Sequence, residues 1–291
     1  MFPASFDYHA PGTLAEAVAL LARYREEAKV LSGGQSLLPL MKLRLGQPGH
    51  LVDIGRIPGL EYVEERDGVL AIGGRTREAA LERSELIRAR YPLIADTAAV
   101  IADPLVRNLA TVGGNLAHGD PANDHPAAMI ALGAIVVATG PKGTREIAVD
   151  RLFTGLFATA LEPDEILTEI RVPTPPSRSG GAYWKLERKV GDFATAAAAV
   201  QLTLGAGGEI ERVGIGLTNA GPTPVKAVDA ERYLIGKRLD DGTVAEAARL
   251  AAEAASPTAD RRGTVEYKRE MARVLTARAL RKAAERAKGG R

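Results

Sequence analysis

Lys29-Val30-Leu31-Ser32-Gly33-Gly34-Gln35-Ser36 and, eighty residues further on, Asn108-Leu109-Ala110-Thr111-Val112-Gly113-Gly114-Asn115 decide how this chain is read. The first stretch closes a short apolar run with two glycines and a serine. Adjacent glycines permit positive φ and place no Cβ between the backbone and an incoming anion. Successive N–H groups in such a turn form an anion-binding nest, and Ser36 adds a hydroxyl donor. A short helix expected over 37–45 would bring its N-terminus to the same point. The spacing fits neither GxGxxG nor GxxxxGK[ST], which disfavours Rossmann and P-loop readings. The second stretch offers another nest, with Thr111 and Asn115 as side-chain donors. Asp120 and Asp124 follow as acceptors for ribose hydroxyls or backbone amides. Asp103 and Asp124 also have a simpler reading as helix caps. Two such nests together suit a pyrophosphate clamped between two subdomains.

Outward from these turns, residues 13–24 predict an amphipathic helix, with Thr13 and Glu16 at capping-box spacing. Short strands are expected at 29–31 and 51–54, giving a βαβ-like start. Residues 60–74 predict a hairpin about Asp67-Gly68. Helices are expected at 76–89 and 91–102, followed by a polar, Gly-rich stretch at 103–124 that faces a ligand. A helix at 126–132 and strands at 134–139 and 166–172 come next. Pro173, Pro175 and Pro176, followed by Ser-Arg-Ser-Gly-Gly, mark a linker. Beyond it lie three strands, at 182–188, 196–204 and 210–219, read as an antiparallel meander. Helices at 226–235, 243–255 and 264–287 end the chain. The expected division is a domain over 1–175, with subdomains at about 1–55 and 56–175, and a second over 176–291. Gly-Gly pairs recur at 33–34, 73–74 and 113–114. They are expected to be similar turns after strands, not a repeat.

Bulk composition narrows the function. With 46% apolar and 25% charged residues the chain is an ordinary globular one, and a formal net charge of +2 lacks the basic excess of a dedicated nucleic-acid binder. No apolar run is long enough for a membrane span. The N-terminal MFPASFDYHAPG has no basic region followed by an apolar stretch, so no signal peptide is read and a cytoplasmic location is expected. There is no cysteine, which excludes disulfides, thiolate nucleophiles and cysteine-ligated iron–sulfur clusters on this chain. Its four histidines, His9, His50, His118 and His125, show no zinc spacing. No Ser/His/Asp arrangement supports His118 or His125 as acid–base groups. Redox chemistry therefore needs an organic cofactor, or metals on another chain. Residues 261–291 hold eleven Lys or Arg against three Glu. They are read either as a solvated helix whose basic end complements its dipole or as a docking segment for an acidic partner.

KVLSGGQSLLPLMKLRL at 29–45 and RNLATVGGNLAHGDPANDHPA at 107–127, with YWKLERKVGDFATAAAAV at 183–200, resemble the FAD-binding medium subunits of the carbon monoxide dehydrogenase and molybdenum hydroxylase family. The flavin domain of xanthine dehydrogenase is a more distant likeness. The resemblance runs from about residue 2 to residue 285. It implies an α+β fold: a two-subdomain FAD-binding domain of the PCMH or vanillyl-alcohol-oxidase type, then a smaller domain with a three-stranded antiparallel sheet and helices. It implies that Lys29, Leu31, Ser32, Gly33, Gly34, Gln35 and Ser36, with Thr111, Gly113, Gly114 and Asn115, hold the FAD pyrophosphate. Asp124 would lie near the ribityl or adenosine portion, and Ile101 and Leu161 against the cofactor. Lys185 would approach the isoalloxazine ring, where a cation stabilises the negative charge of reduced flavin. Phe193 would cover the ring face, where the best-known relatives often carry tyrosine, so a hydroxyl is missing here. No catalytic proton-transfer residue and no metal ligand is implied.

The resemblance also implies a relay. A large molybdopterin subunit would hydroxylate the substrate, and a small subunit with two [2Fe–2S] clusters would carry electrons. This chain, an FAD-dependent oxidoreductase subunit, would collect them and pass them to an acceptor, within a dimer of heterotrimers. A quinone or membrane carrier reached by peripheral contact fits the carbon monoxide type, and NAD the xanthine type. Two other readings stay open. One is a stand-alone FAD-dependent reductase or oxidase on the same fold, which would need a substrate pocket and a proton donor of its own. The other is a nucleotide-binding regulatory module. Individual residues have plainer readings too: Ile101, Leu161 and Phe193 as core, Lys185 on a solvated face, Arg188 and Asp192 as a surface pair worth little, and Trp184 as packing.

Overall fold

The computed structural model describes residues 2–290. Its first sheet is parallel, with the strand His50–Asp53 between Asp7–His9 and Ala28–Leu31. The helix Leu14–Tyr24 starts on the expected capping box, in which Thr13 accepts from the Glu16 amide and Glu16 answers the Thr13 amide. It buries Ala17, Val18 and Leu21. The strand Ala28–Leu31 leads through the first glycine turn into the short helix Leu37–Lys42. The strand Asp7–His9 carries no sequence signal; only its register against His50–Asp53 defines it.

The second sheet has five antiparallel strands in the order Val63–Arg66, Val69–Gly73, Ile166–Pro173, Ile135–Gly140, Gly143–Ala148. The expected hairpin forms at Asp67 and Gly68, both at positive φ (50° and 77°), the geometry of a tight turn matched to strand twist. A third sheet is built from the three expected strands, Ser179–Leu186, Ala196–Leu204 and Ile210–Thr218, plus a two-residue edge, Val225–Lys226.

Packing on the two faces of that third sheet explains its alanine-rich central strand. Ala196, Ala198 and Val200 point into the core shared with the long helix Val265–Ala287, while Ala197 and Ala199 point into the main core. This is the period-2 alternation of a strand covered on both sides. Helices approach so closely that a Cβ on Gly180 would overlap the Ala283 carbonyl, and one on Gly214 or Gly216 would overlap the carbonyl of Ala131 or Ala127. The helix Asp124–Leu132 lies against this second face with every residue buried. An apolar stripe was not to be found in its sequence because all sides face protein.

The C-terminal helix is not simply a solvated basic rod. Ala272, Leu275, Ala279, Leu280 and Ala283 pack on the sheet. Several of its cations are spent internally: Arg286 on Asp96, Arg281 on Asp241, Arg273 on Glu270 and the buried Lys268 on Asp260.

Candidate functional site

The turn after Ala28–Leu31 is half-buried and has Gly34 at φ 72°. Among the described residues nothing accepts from the amides of Gly33, Gly34, Gln35 or Ser36, while Gln35 Nε2 donates back to Gly33 O at 3.1 Å. Ser36 precedes the helix Leu37–Lys42 without making a side-chain cap. Four successive unspent donors in a half-buried turn are unusual, since protected backbone groups are nearly always paired. Gly33 is required for a different reason: a Cβ there would overlap the Leu109 carbonyl, so segment 109–110 lies directly on the turn. Lys29 is exposed and Leu31 half-buried, with Leu31 O accepting from Ile54 N at 3.0 Å.

The second glycine pair differs from the expectation. Stretch 103–124 contains two helices, Pro104–Arg107 and Val112–His118, so Gly113 and Gly114 sit in a helical first turn and not in a turn after a strand. Their amides are spent. Gly113 N donates to Gly74 O at 3.0 Å, Gly114 N to Thr111 Oγ1 at 3.2 Å, and Asn115 N to Thr111 O at 2.9 Å. A Cβ on Gly113 would overlap the Gly74 carbonyl. The three glycine pairs therefore belong to one junction, where backbones cross at a distance that no side chain fits. Thr111 Oγ1 and Ser32 Oγ, 3.0 Å apart, tie the two motifs together. Asn115 Oδ1 is buried and has no partner, an oxygen the fold leaves free for a ligand. Asp103 caps its helix through Val106 N, the simpler of the two readings, and Asp120 accepts from Ala122 N.

A second cluster lies where the third sheet meets the main core. Asp124 Oδ1 accepts from Tyr183 Oη at 2.7 Å and Oδ2 from Lys185 Nζ at 2.9 Å. Lys185 Nζ also donates to Val100 O at 3.0 Å and lies 3.4 Å from Glu187 Oε2. Thr218 Oγ1 lies 3.0 Å from Tyr183 Oη and completes the row. With its side chain only 3% exposed, Lys185 is not on a solvated face. Burial pushes the Asp124 carboxyl up against the opposing pull of Lys185 and Tyr183. Burial, with Asp124 next in importance, lifts the Tyr183 phenol well above its usual range. Both Asp124 oxygens are thus engaged inside the chain, and the Lys185 ammonium is flanked by two carboxylates. Asp124 is the first residue of its helix, not a cap.

The strap 100–110 joins the clusters, touching Lys185 through Val100 O and the glycine turn through Leu109. Arg107 braces it, donating to Ile101 O and making a two-pronged ion pair with Glu82. Ile101 is buried, Leu161 half-buried against the main core, and Phe193 47% exposed, which excludes plain core for Phe193. Trp184 points to the opposite side of its strand, 40% exposed beneath Arg278, and is not a packing residue of the interior. His125 is fully buried in a 2.6 Å pair with Glu78, and His118 lies beside Phe157 with its pKa lowered by burial. Sequence reading missed Tyr183, Thr218 and Arg107. For Tyr183 a signal existed, since it shares a strand face with Lys185 two residues on.

Comparison with known proteins gives a consistent picture. Residues 4–175 match the family described as the FAD binding domain in molybdopterin dehydrogenase, and 181–283 the CO dehydrogenase flavoprotein C-terminal domain. The chain is 47% identical over 288 residues to the carbon monoxide dehydrogenase medium chain of Afipia carboxidovorans, covering 99% of this chain and 100% of that one. It is 45% identical to the corresponding chain of Hydrogenophaga pseudoflava, covering 96% and 97%. Among solved structures it is similar to the cyanide-inactivated form of Cu,Mo-CO dehydrogenase, with TM-score 0.96, 46% identity and coverage of 98% and 100%.

Proposed function

The chain belongs to the family of FAD-binding medium chains of molybdenum hydroxylases, and from that membership we propose how its own residues serve the family's role. It is an FAD-containing oxidoreductase subunit with an electron-transfer role, and xanthine dehydrogenase subunits are more distant members of the same family. The observation that carries the residue-level reading is the run of unspent amides from Gly33 to Ser36. In this reading Ser32 to Ser36 hold the FAD pyrophosphate, with Lys29 and Leu31 flanking it. Thr111, Gly113 and Gly114 shape the floor without lending their amides, and Asn115 offers its free side-chain oxygen as an acceptor for a cofactor hydroxyl or N–H, not for the pyrophosphate. Ile101 and Leu161 wall the cofactor, Phe193 covers the ring, and Asp124 acts by holding Lys185. Residues 1–175 would form the FAD-binding domain and 176–291 the second domain. FAD supplies the electron storage that no side chain here offers; the protein positions it, excludes water and sets its electrostatic surroundings.

With no cysteine, this chain cannot hold a cysteine-ligated cluster. The proposed donor is a small partner with [2Fe–2S] clusters, beside a large molybdopterin partner, in a dimer of heterotrimers. No helix among the described residues is long and apolar enough to cross a membrane. The same proposal has a quinone acceptor met by peripheral contact and the complex in the cytoplasm. The test is co-expression with the two candidate partners. We expect one species that releases stoichiometric FAD on denaturation. Separate elution of the chains would refute the assembly, and a colourless chain that ignores added FAD would refute the cofactor site.

A further inference from the structure

The loop 188–193 that carries Phe193 is more firmly held than an exposed turn requires. Asp192 accepts from Arg188 Nε at 2.9 Å, from the Phe193 amide at 2.9 Å and from Arg262 Nη2 at 2.6 Å. Gly191, at φ 83°, backs onto Ala102 of the strap. Arg262 arrives from the connection before the C-terminal helix, and its guanidinium lies over the Phe193 ring, 6.0 Å from the centroid.

Arg262 is itself positioned. It lies in a turn where Asp260 and Gly263 exchange backbone hydrogen bonds, and its amide donates to Asp260 Oδ1 at 2.7 Å. Asp260 Oδ2 in turn meets Lys268 Nζ at 2.9 Å, from a lysine side chain only 2% exposed that also donates to Thr258 O. The contacts run unbroken from a buried lysine of the long helix through Arg262 to Asp192, 70 residues earlier in sequence, and to the Phe193 ring beside it. A phenylalanine ring makes no conventional hydrogen bond, so its orientation must come from its neighbours. A lone exposed ion pair would hold it poorly; a carboxylate gripped by three donors, with a cation facing the ring, holds it well.

We propose that Arg262 is a positioning residue of the flavin site, fixing the 188–193 loop through Asp192 and seating Phe193 against the cofactor. This rests on the reading of Phe193 as the ring cover. The test uses the full-length chain loaded with FAD and the variants Arg262→Gln, Arg262→Lys and Phe193→Leu. FAD dissociation constants, flavin fluorescence and visible circular dichroism are recorded beside thermal unfolding of the apo chain. Arg262→Gln should weaken FAD about three- to tenfold, raise flavin fluorescence and move the flavin bands in the same direction as Phe193→Leu. Arg262→Lys should recover part of the effect. If Phe193→Leu alters the flavin signals and Arg262→Gln alters only stability or nothing, the proposal is overturned and the reading of Phe193 stands. If Phe193→Leu leaves the flavin signals unchanged, the reading falls and the proposal with it.

Discussion

The turn at 33–36 and the helix start at 112–115 look alike in sequence, yet their backbones are engaged in opposite ways. In the first, four consecutive amides find no acceptor among the described residues; in the second, Gly113, Gly114 and Asn115 all donate within the fold. Both pairs contain a glycine that a Cβ would drive into a carbonyl, Gly33 into Leu109 and Gly113 into Gly74. The lesson is that a glycine pair reports close backbone approach. Whether it is also a ligand site depends on where its hydrogen bonds go.

The sharpest way to break this comparison is Gly113→Ala. The added methyl overlaps backbone, not a yielding side chain, so stability should fall by roughly 3 kcal/mol. Chemical denaturation would read this as a lowered midpoint, with flavin lost only because the junction is lost. A Gly113→Ala chain as stable as the parent would contradict the packing role. Gly34→Ala should behave the other way round. Forcing φ 72° on alanine costs about 1 kcal/mol, while the displaced amides should weaken FAD more than that strain alone explains. Isothermal titration beside denaturation separates the two, and equal losses at 34 and 113 would erase the distinction. Thr111→Val, which removes a helix cap and the bond to Ser32, should cost about 1 kcal/mol with little direct effect on FAD affinity.

The smallest effect concerns the Phe193 loop. Burial of Asp192 opposes ionisation, but hydrogen bonds from Arg262, Arg188 and the Phe193 amide hold its pKa down to about 2. A depressed carboxylate contributes stability that is present above its unfolded pKa of about 4 and is lost as pH falls through the folded value. Asp192→Asn should therefore flatten the pH dependence of stability between about pH 4 and 2, measured against the parent chain. Parallel pH profiles would show that the clamp carries no folding energy.

Much of this was legible in the sequence where local chemistry decides the outcome. Thr13 with Glu16, Asp67 with Gly68, and the three long strands after Pro176 all declare themselves over a few residues. The helix Asp124–Leu132 was found, but not its role, because a segment buried on every side shows no period. Within 103–124, the helix Val112–His118 is hidden by glycines that serve packing and so mimic a loop, and Pro104–Arg107 is a single turn too short to show a period. The site divides in the same way. The adjacent glycines mark the candidate turn at 32–36 over a few residues, whereas Asp124 and Val100, which meet Lys185, lie 61 and 85 residues away and only the tertiary fold brings them together.

The central claim is that the amides of Gly33, Gly34, Gln35 and Ser36 bind the FAD pyrophosphate, and amide NMR of the isotopically labelled chain tests it most directly. On adding FAD, these four resonances should move downfield more than those of Gly113, Gly114 and Asn115, which are already hydrogen-bonded. Bound FAD with the four amides unmoved would contradict the account.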